Sequence, residues 1–302
     1  MVEEITLRKT SNSEEIHMDM VTAPGYILKS VDWGTIKGTH NTYKYLNQVG
    51  VSVNNTDLGA REDITIEGWV VAQHERDMTE KKMVLNAFVN PQEPLEIFYG
   101  DYKIQFRPDS TIKYSINYAE NNDVVCKFQI VGTAHDPMFV DSLENRLNFA
   151  TTTAGFHFPL VISPQLPEGG VVFGSRTDSL IATVINKGSV PTGMRIVFKA
   201  KGSVSNPKLI NVETQEQLLI SKDLVAEEEI EINTVIGSKR VRGRVGETSP
   251  FTNYFVYKTL DSTWIQLAIG KNLFRYDADR GLDNLEVFVY FQNRFLEVQE
   301  CN

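Results

Sequence analysis

Cysteine is nearly absent: Cys126 and Cys301 are the only two in 302 residues. Two such thiols form neither a disulfide framework nor a zinc-ligand set, and they suit a chain that folds in a reducing cytoplasm. Histidine is scarce where a general base or metal ligand would be needed. All five lie at or before His157, and none follows it. Basic charge is also in deficit, because 30 Lys and Arg face 39 Asp and Glu. The net charge of −9 and pI of about 5.2 have the wrong sign for a protein that grips phosphates.

Long apolar runs are missing too. Residues 147–167 contain no charged side chain, but Pro159, Pro164 and Pro167 interrupt them, along with Thr151 to Thr153 and His157. A membrane-spanning helix needs about 20 mostly apolar residues and would break here, so this stretch is expected to be a linker. The first residues, Met1-Val-Glu-Glu-Ile-Thr-Leu-Arg-Lys9, lack the apolar core of a signal peptide.

Motifs of chemistry are absent in the same way. His74-Glu75 has Met78 where a zinc-binding helix requires its second histidine. No nucleophile elbow and no phosphate-cradling Gly-rich loop occurs. His135-Asp136 precedes Pro137 and reads as a turn, as does the glycosylation-like Asn54-Asn55-Thr56. Asp277, Asp279 and Asp283 lie among Gly281 and Asn284, and calcium would require roughly six to eight oxygen ligands. They read as a solvated turn. No repeat of 20–50 residues is visible.

What is present is a β pattern. The length exceeds what one core usually serves, so two domains are expected. Ile64 to Val71, Leu95 to Tyr99 and Tyr102 to Arg107 alternate apolar and polar residues, and Gly100-Asp101 supplies a tight turn between the last two. Cys126 shares a strand face with Val124, Phe128 and Ile130. One helix is predicted, with Asp77 and Glu80 at capping-box spacing. Val84, Ala87 and Phe88 form its apolar stripe, and Asn90-Pro91 ends it. Beyond about residue 170, strands are predicted at Leu180–Ile185, Met194–Ala200, Lys208–Asn211, Leu218–Ile220, Glu228–Asn233, Trp264–Ala268 and Leu285–Phe291. Many short strands joined by turns predict a β-sandwich or jelly roll.

Two charge rows stand out. Glu227, Glu229 and Glu231 share one strand face, and Arg240, Arg242 and Arg244 share the next. If these strands pair antiparallel around an even-length loop, the rows meet as cross-strand ion pairs that set register. At about 0.2–1 kcal/mol each, they would add little stability. Arginines that face glutamates are poorly placed for nucleic acid. Pairing of the rows between subunits is the other arrangement open at this stage.

Two stretches resemble the distal tail protein of siphovirus-type, long-tailed bacteriophages. One begins at Gly25-Tyr-Ile-Leu-Lys-Ser-Val-Asp32 and passes Gly50, Leu58-Gly-Ala-Arg61, Gly68-Trp69 and Asn90-Pro91 to Ile130-Val-Gly-Thr-Ala-His-Asp-Pro137. The other is Leu260-Asp-Ser-Thr-Trp-Ile-Gln-Leu-Ala-Ile-Gly-Lys-Asn-Leu-Phe-Arg-Tyr276, followed by Leu285 to Phe291 and Phe295-Leu-Glu-Val298.

The resemblance implies a mainly β chain. Its N-terminal domain, residues 1–145, would be a β-rich split barrel with one helix that closes into a hexameric ring. After a linker over residues 146–170, residues 171–302 would form a galectin-like β-sandwich. It further implies a structural virion protein without enzymatic activity or cofactor, made in the bacterial host cytoplasm and located at the virion tail tip. The expected partners are further copies of the chain, the tail tube protein, the tail-tip or tail-associated protein and a receptor-binding protein. DNA would pass through without specific binding, and no membrane is involved.

A galectin-like fold raises the alternative of a carbohydrate-binding module that recognises the host. Sugar-binding galectins carry a His-Asn-Arg cluster and a tryptophan. From residue 171 this chain has no histidine, and its only tryptophan, Trp264, is followed by Ile-Gln instead of Gly-x-Glu. A cell-wall hydrolase would need a paired acid and base in a cleft, and the sequence singles out no such pair.

Overall fold

Alternating burial turns the predicted strands into two separate cores. The computed structural model describes residues 4–21, 25–154, 174–178 and 180–298. By contact the chain divides into one unit of Met1–Ser142 with Phe295–Asn302, and a second of Leu143–Arg294.

The first unit contains β1 (Glu4–Lys9), β2 (Glu15–Asp19), β3 (Tyr26–Asp32), β4 (Thr35–Tyr43), β5 (Ser52–Val71), α1 (Glu75–Phe88), β6 (Leu95–Tyr99), β7 (Tyr102–Pro108), β8 (Lys113–Tyr114), β9 (Val125–Ala134) and β10 (Phe139–Asp141). Strands β7, β6, β1, β2, β3, β5 and β9 follow one another in the sheet, and β9 pairs back onto β7, so these seven close a barrel. Closure depends on Gly132, opposite Pro108, because a Cβ there would stand 2.3 Å from the carbonyl oxygen of Arg107. Period-two alternation sends Ile5, Leu7, Ile64, Ile66, Ile97, Ile104, Cys126, Phe128 and Ile130 into the core. Val124, expected beside Cys126, precedes the strand and is exposed. The two-residue turn at Gly100-Asp101 joins β6 and β7 with Tyr99 opposite Tyr102.

Helix α1 begins at Glu75, three residues before the start that an N-cap at Asp77 would set. Its N-cap is His74, whose Nδ1 accepts the Asp77 amide, while the Asp77 carboxylate accepts the Gln73 amide. Met78, Leu85 and Phe88 are its buried residues, whereas Val84 and Ala87 face solvent. The apolar stripe therefore runs one position away from the predicted one. Leu85 and Val84 are adjacent and both apolar, so spacing from Phe88 alone does not separate them.

The second unit contains β11 (Asn145–Asn148), β12 (Ala150–Ala154), β13 (Gly174–Asp178), β14 (Ile181–Asn186), β15 (Met194–Ala200), β16 (Val204–Ser205), β17 (Lys208–Asn211), β18 (Gln217–Leu219), β19 (Asp223–Leu224), β20 (Glu228–Asn233), β21 (Arg240–Val245), β22 (Thr252–Asn253), β23 (Gly270–Asp277) and β24 (Leu285–Phe291). A six-stranded sheet, β11-β24-β15-β20-β21-β22, and a four-stranded sheet, β14-β23-β17-β18, share one core. Ile196, Phe198, Ile230, Val287 and Val289 meet Val184, Leu209, Leu218, Phe274 and Tyr276 there. The protein is thus mainly β, with one α-helix among the described residues.

Three details differ from expectation. The stretch Trp264–Ala268 is not a strand. Gln266 Nε2 donates to the carbonyls of Thr234 and Trp264, and only Leu267 bridges a neighbour, Thr192. The expected linker starts in paired chain, because Leu147 lies opposite Val289 and packs on the core. From Phe295 in β25 (Arg294–Phe295) the chain joins the first unit, where Phe295 packs on Tyr102 at 5.2 Å.

Candidate assembly surfaces

Strands β4 and β5 form an arm. They pair from Thr35 opposite Glu62 to Tyr43 opposite Ser52. Only from Arg61 onward does β5 gain its second neighbours, β9 and β3. Residues 52–60 therefore belong to a two-stranded ribbon about 30 Å long at about 3.3 Å per residue. Every residue of β4 from Lys37 to Tyr43 is exposed.

The tip of this ribbon is apolar. Tyr45, Leu46, Val49, Val51 and Val53 are exposed, Leu46 to 94% and Val49 to 100%. It is also ordered by its own contacts. Gln48 accepts the Tyr45 amide and donates to Ser52, while Tyr43 and Tyr45 meet edge to face at 5.2 Å. A lone hairpin is marginal in water, and a ribbon that pairs with no further strand among the described residues and carries an apolar tip is a template for association. Sequence patterning missed this arm. Val49, Val51 and Val53 alternate as in a half-buried strand, and nothing local says that the apolar face meets no neighbour.

The second surface is the outer face of the six-stranded sheet. Glu229 lies opposite Arg244, Glu231 opposite Arg242, and Asn233 opposite Arg240. The register brings five of the six predicted charges together. Arg242 donates Nε and Nη2 to the two oxygens of Glu231, at 3.0 and 3.1 Å, and Arg240 reaches the same carboxylate diagonally at 3.3 Å. Arg244 donates twice to Glu229. Glu227 is not in the strand. It sits at φ +62° in a turn that donates its amide to Ala200 and accepts that of Gly246.

Neighbouring strands extend the row. Arg195 on β15 lies 3.7 Å from Glu231, pairs with Glu144 and stacks 3.9 Å from the Tyr290 ring. Arg242 and Arg244 both stack on Phe251. Burial pushes the Glu231 carboxyl up, but Arg242, Arg240 and Arg195 together hold it below the usual range. These arginines are occupied by carboxylates and rings, so the row is a self-satisfied network. Arg195 and Arg146, which stacks on Phe288, escaped sequence analysis because their partners are distant in the chain.

Trp264 is half-buried. Phe255 stacks on it at 6.1 Å, and the Lys239 and Lys258 ammonium groups lie within 6 Å of its ring centre. Among the described residues no group of three His, Cys, Asp or Glu could hold a metal ion, and no helix is long and apolar enough to cross a membrane. Cys301 lies outside the described residues.

A closed barrel with an exposed arm is followed in the chain by a two-sheet unit, and this is the fold that has known counterparts. Residues 187–295 match the family described as siphovirus-type tail component, C-terminal domain. The fold across the chain is that of a Dit-like distal tail protein. The Dit protein of phage SPP1, described as a paradigm of the hub adsorption apparatus of phages that infect Gram-positive bacteria, superposes with a TM-score of 0.65. It shares 12% identity over 97% of this chain and 99% of its own. Baseplate chains of phage P2 in the activated conformation, with calcium and with strontium, give TM-scores of 0.50 and 0.51. Each is 10% identical and covers 99% of this chain and all of its own. None of the curated protein sequences matches.

Proposed function

We propose that the protein is the distal tail hub of a long-tailed phage, a structural subunit whose copies close into a hexameric ring between the tail tube and the tail tip or baseplate. The observation that carries this reading is the β4–β5 arm. Its edges and exposed apolar tip are satisfied when it docks on another copy of the chain. A head-to-tail contact of this kind is heterologous, and it forms a ring when its rotation closes.

The acidic balance supports the same reading, because a negatively charged subunit suits a lumen through which DNA and the tape-measure protein slide without sticking. The tail tube protein, the tail-associated protein and a receptor-binding protein are its neighbours in this arrangement. Light scattering of the purified chain at several concentrations tests it. The expected mass is six times 34.1 kDa. A concentration-independent monomer, both alone and mixed with the tail tube protein, would remove the ring.

A further inference from the structure

Arg61 is the largest fully buried side chain among the described residues, and neither the fold comparison nor the ring accounts for it. It stands at the root of the arm. Arg61 pairs with Ile36 on the arm side and with Ala134 on β9, after which the register shifts and resumes at Ile64 opposite Gly132. The facing turn is equally tight: a Cβ on Gly34 would stand 1.9 Å from the Glu62 carbonyl oxygen.

The guanidinium draws three distant segments to this point. Nη1 donates to the Trp33 carbonyl at 3.3 Å, Nε donates to the Pro137 carbonyl at 3.0 Å, and Nη2 donates to the Leu296 carbonyl. The Glu297 carboxylate lies 3.1 Å from Nη2, and the Phe139 ring packs 5.0 Å from the guanidinium carbon. Trp33 in turn packs on Phe139 and Tyr99. An arginine is charged at every physiological pH, and a buried cation must keep its partners. Two of those partners, including its carboxylate, come from the segment that returns to the first unit.

We propose that this return segment, Phe295–Val298, is a strap that fixes the root of the arm by docking on Arg61. Without the strap the guanidinium loses its carboxylate and turns outward. Trp33 and the bulge at Arg61 to Ile64 then lose the hydrogen bonds that hold the arm at one angle to the barrel. The coupling lies within the first unit and stands whether or not a ring forms. Its consequence for assembly rests on the function proposed above.

Hydrogen exchange of the full chain, compared with a chain ending at Phe295, tests the strap. The expected result is exchange at least about tenfold faster at residues 33–38 and 58–63, with the Ile66–Ile130 strand pair unchanged. Unchanged exchange at the arm root would overturn the proposal, and so would uniform loss across the barrel. If the shortened chain fails to fold, Arg61→Lys and Glu297→Gln in the full chain keep the test open. Both should loosen the root selectively, Arg61→Lys more than Glu297→Gln, because lysine cannot span three carbonyls. Wild-type exchange in both would overturn it. Light scattering on the same samples separates the outcomes, since a strap that works in a monomeric chain leaves this inference standing while the ring fails.

Discussion

Arg242 holds Glu231 from directly across the strand pair, one guanidinium fork on one carboxylate, and the Glu231 side chain keeps only 6% of its exposure. A buried carboxylate that loses its partners is costly, whereas the same pair at the surface is nearly neutral. The network thus matters most through its centre, Glu231, which also contacts Arg240 and Arg195.

Glu231→Ala is expected to lower stability by about 1–2 kcal/mol, through lost charge-assisted hydrogen bonds and packing, because the arginines left behind still reach water and no buried charge is stranded. Denaturant titration checks this.

The pH dependence of Glu231 follows from the sign of its shift. Its folded value lies below the ordinary 4.5, so its contribution is present above that value and is lost as pH falls through the folded one. Denaturation midpoints between about pH 5 and pH 3 should therefore fall less steeply in Glu231→Gln than in the wild type. Equal slopes would mean that Glu231 is not held ionised by the row.

The Glu229–Arg244 pair is partly exposed, at 17% and 23% of side-chain area. A double-mutant cycle should return a coupling of about 0.5–1 kcal/mol. A value near zero would leave the register to the apolar face alone.

On helix α1, Leu85→Ala is expected to cost about 2–4 kcal/mol, since Leu85 is fully buried. The neighbouring Val84→Ala, at 57% exposure, should stay within about 0.5 kcal/mol. Thermal melts of the two variants decide whether the helix faces the barrel as described.

Charging the arm tip with Leu46→Asp and Val49→Asp should leave the melting temperature unchanged, because both side chains lie in water within one chain. The same pair should abolish assembly, leaving a 34.1 kDa species in light scattering. Assembly equal to the wild type would detach the ring from the arm.

The strand set was legible in the sequence to a considerable degree because alternation is a local signal. Met194–Ala200, Lys208–Asn211, Glu228–Asn233 and Leu285–Phe291 are strands as the pattern predicts. Local alternation did not mark β23, since Gly270, Asn272 and Asp277 resemble turn residues, and only the resemblance to distal tail proteins implied a strand ending at Tyr276. Asn272 is nevertheless buried, with its amide donating to the carbonyls of Ala268 and Gly270.

The sequence by itself determined the β class, the absence of known catalytic motifs, the pairing potential of the Glu and Arg rows and the resemblance to distal tail proteins. All of these rest on residues close together in the chain or on their order along it. Tertiary structure alone decided that β4 and β5 stand clear of the barrel as an arm. It also decided that the helix turns Leu85 inward and that Arg61 meets a segment more than 230 residues away. Such facts depend on which surfaces lack a neighbour or gain a distant one, and no local pattern of residues encodes that.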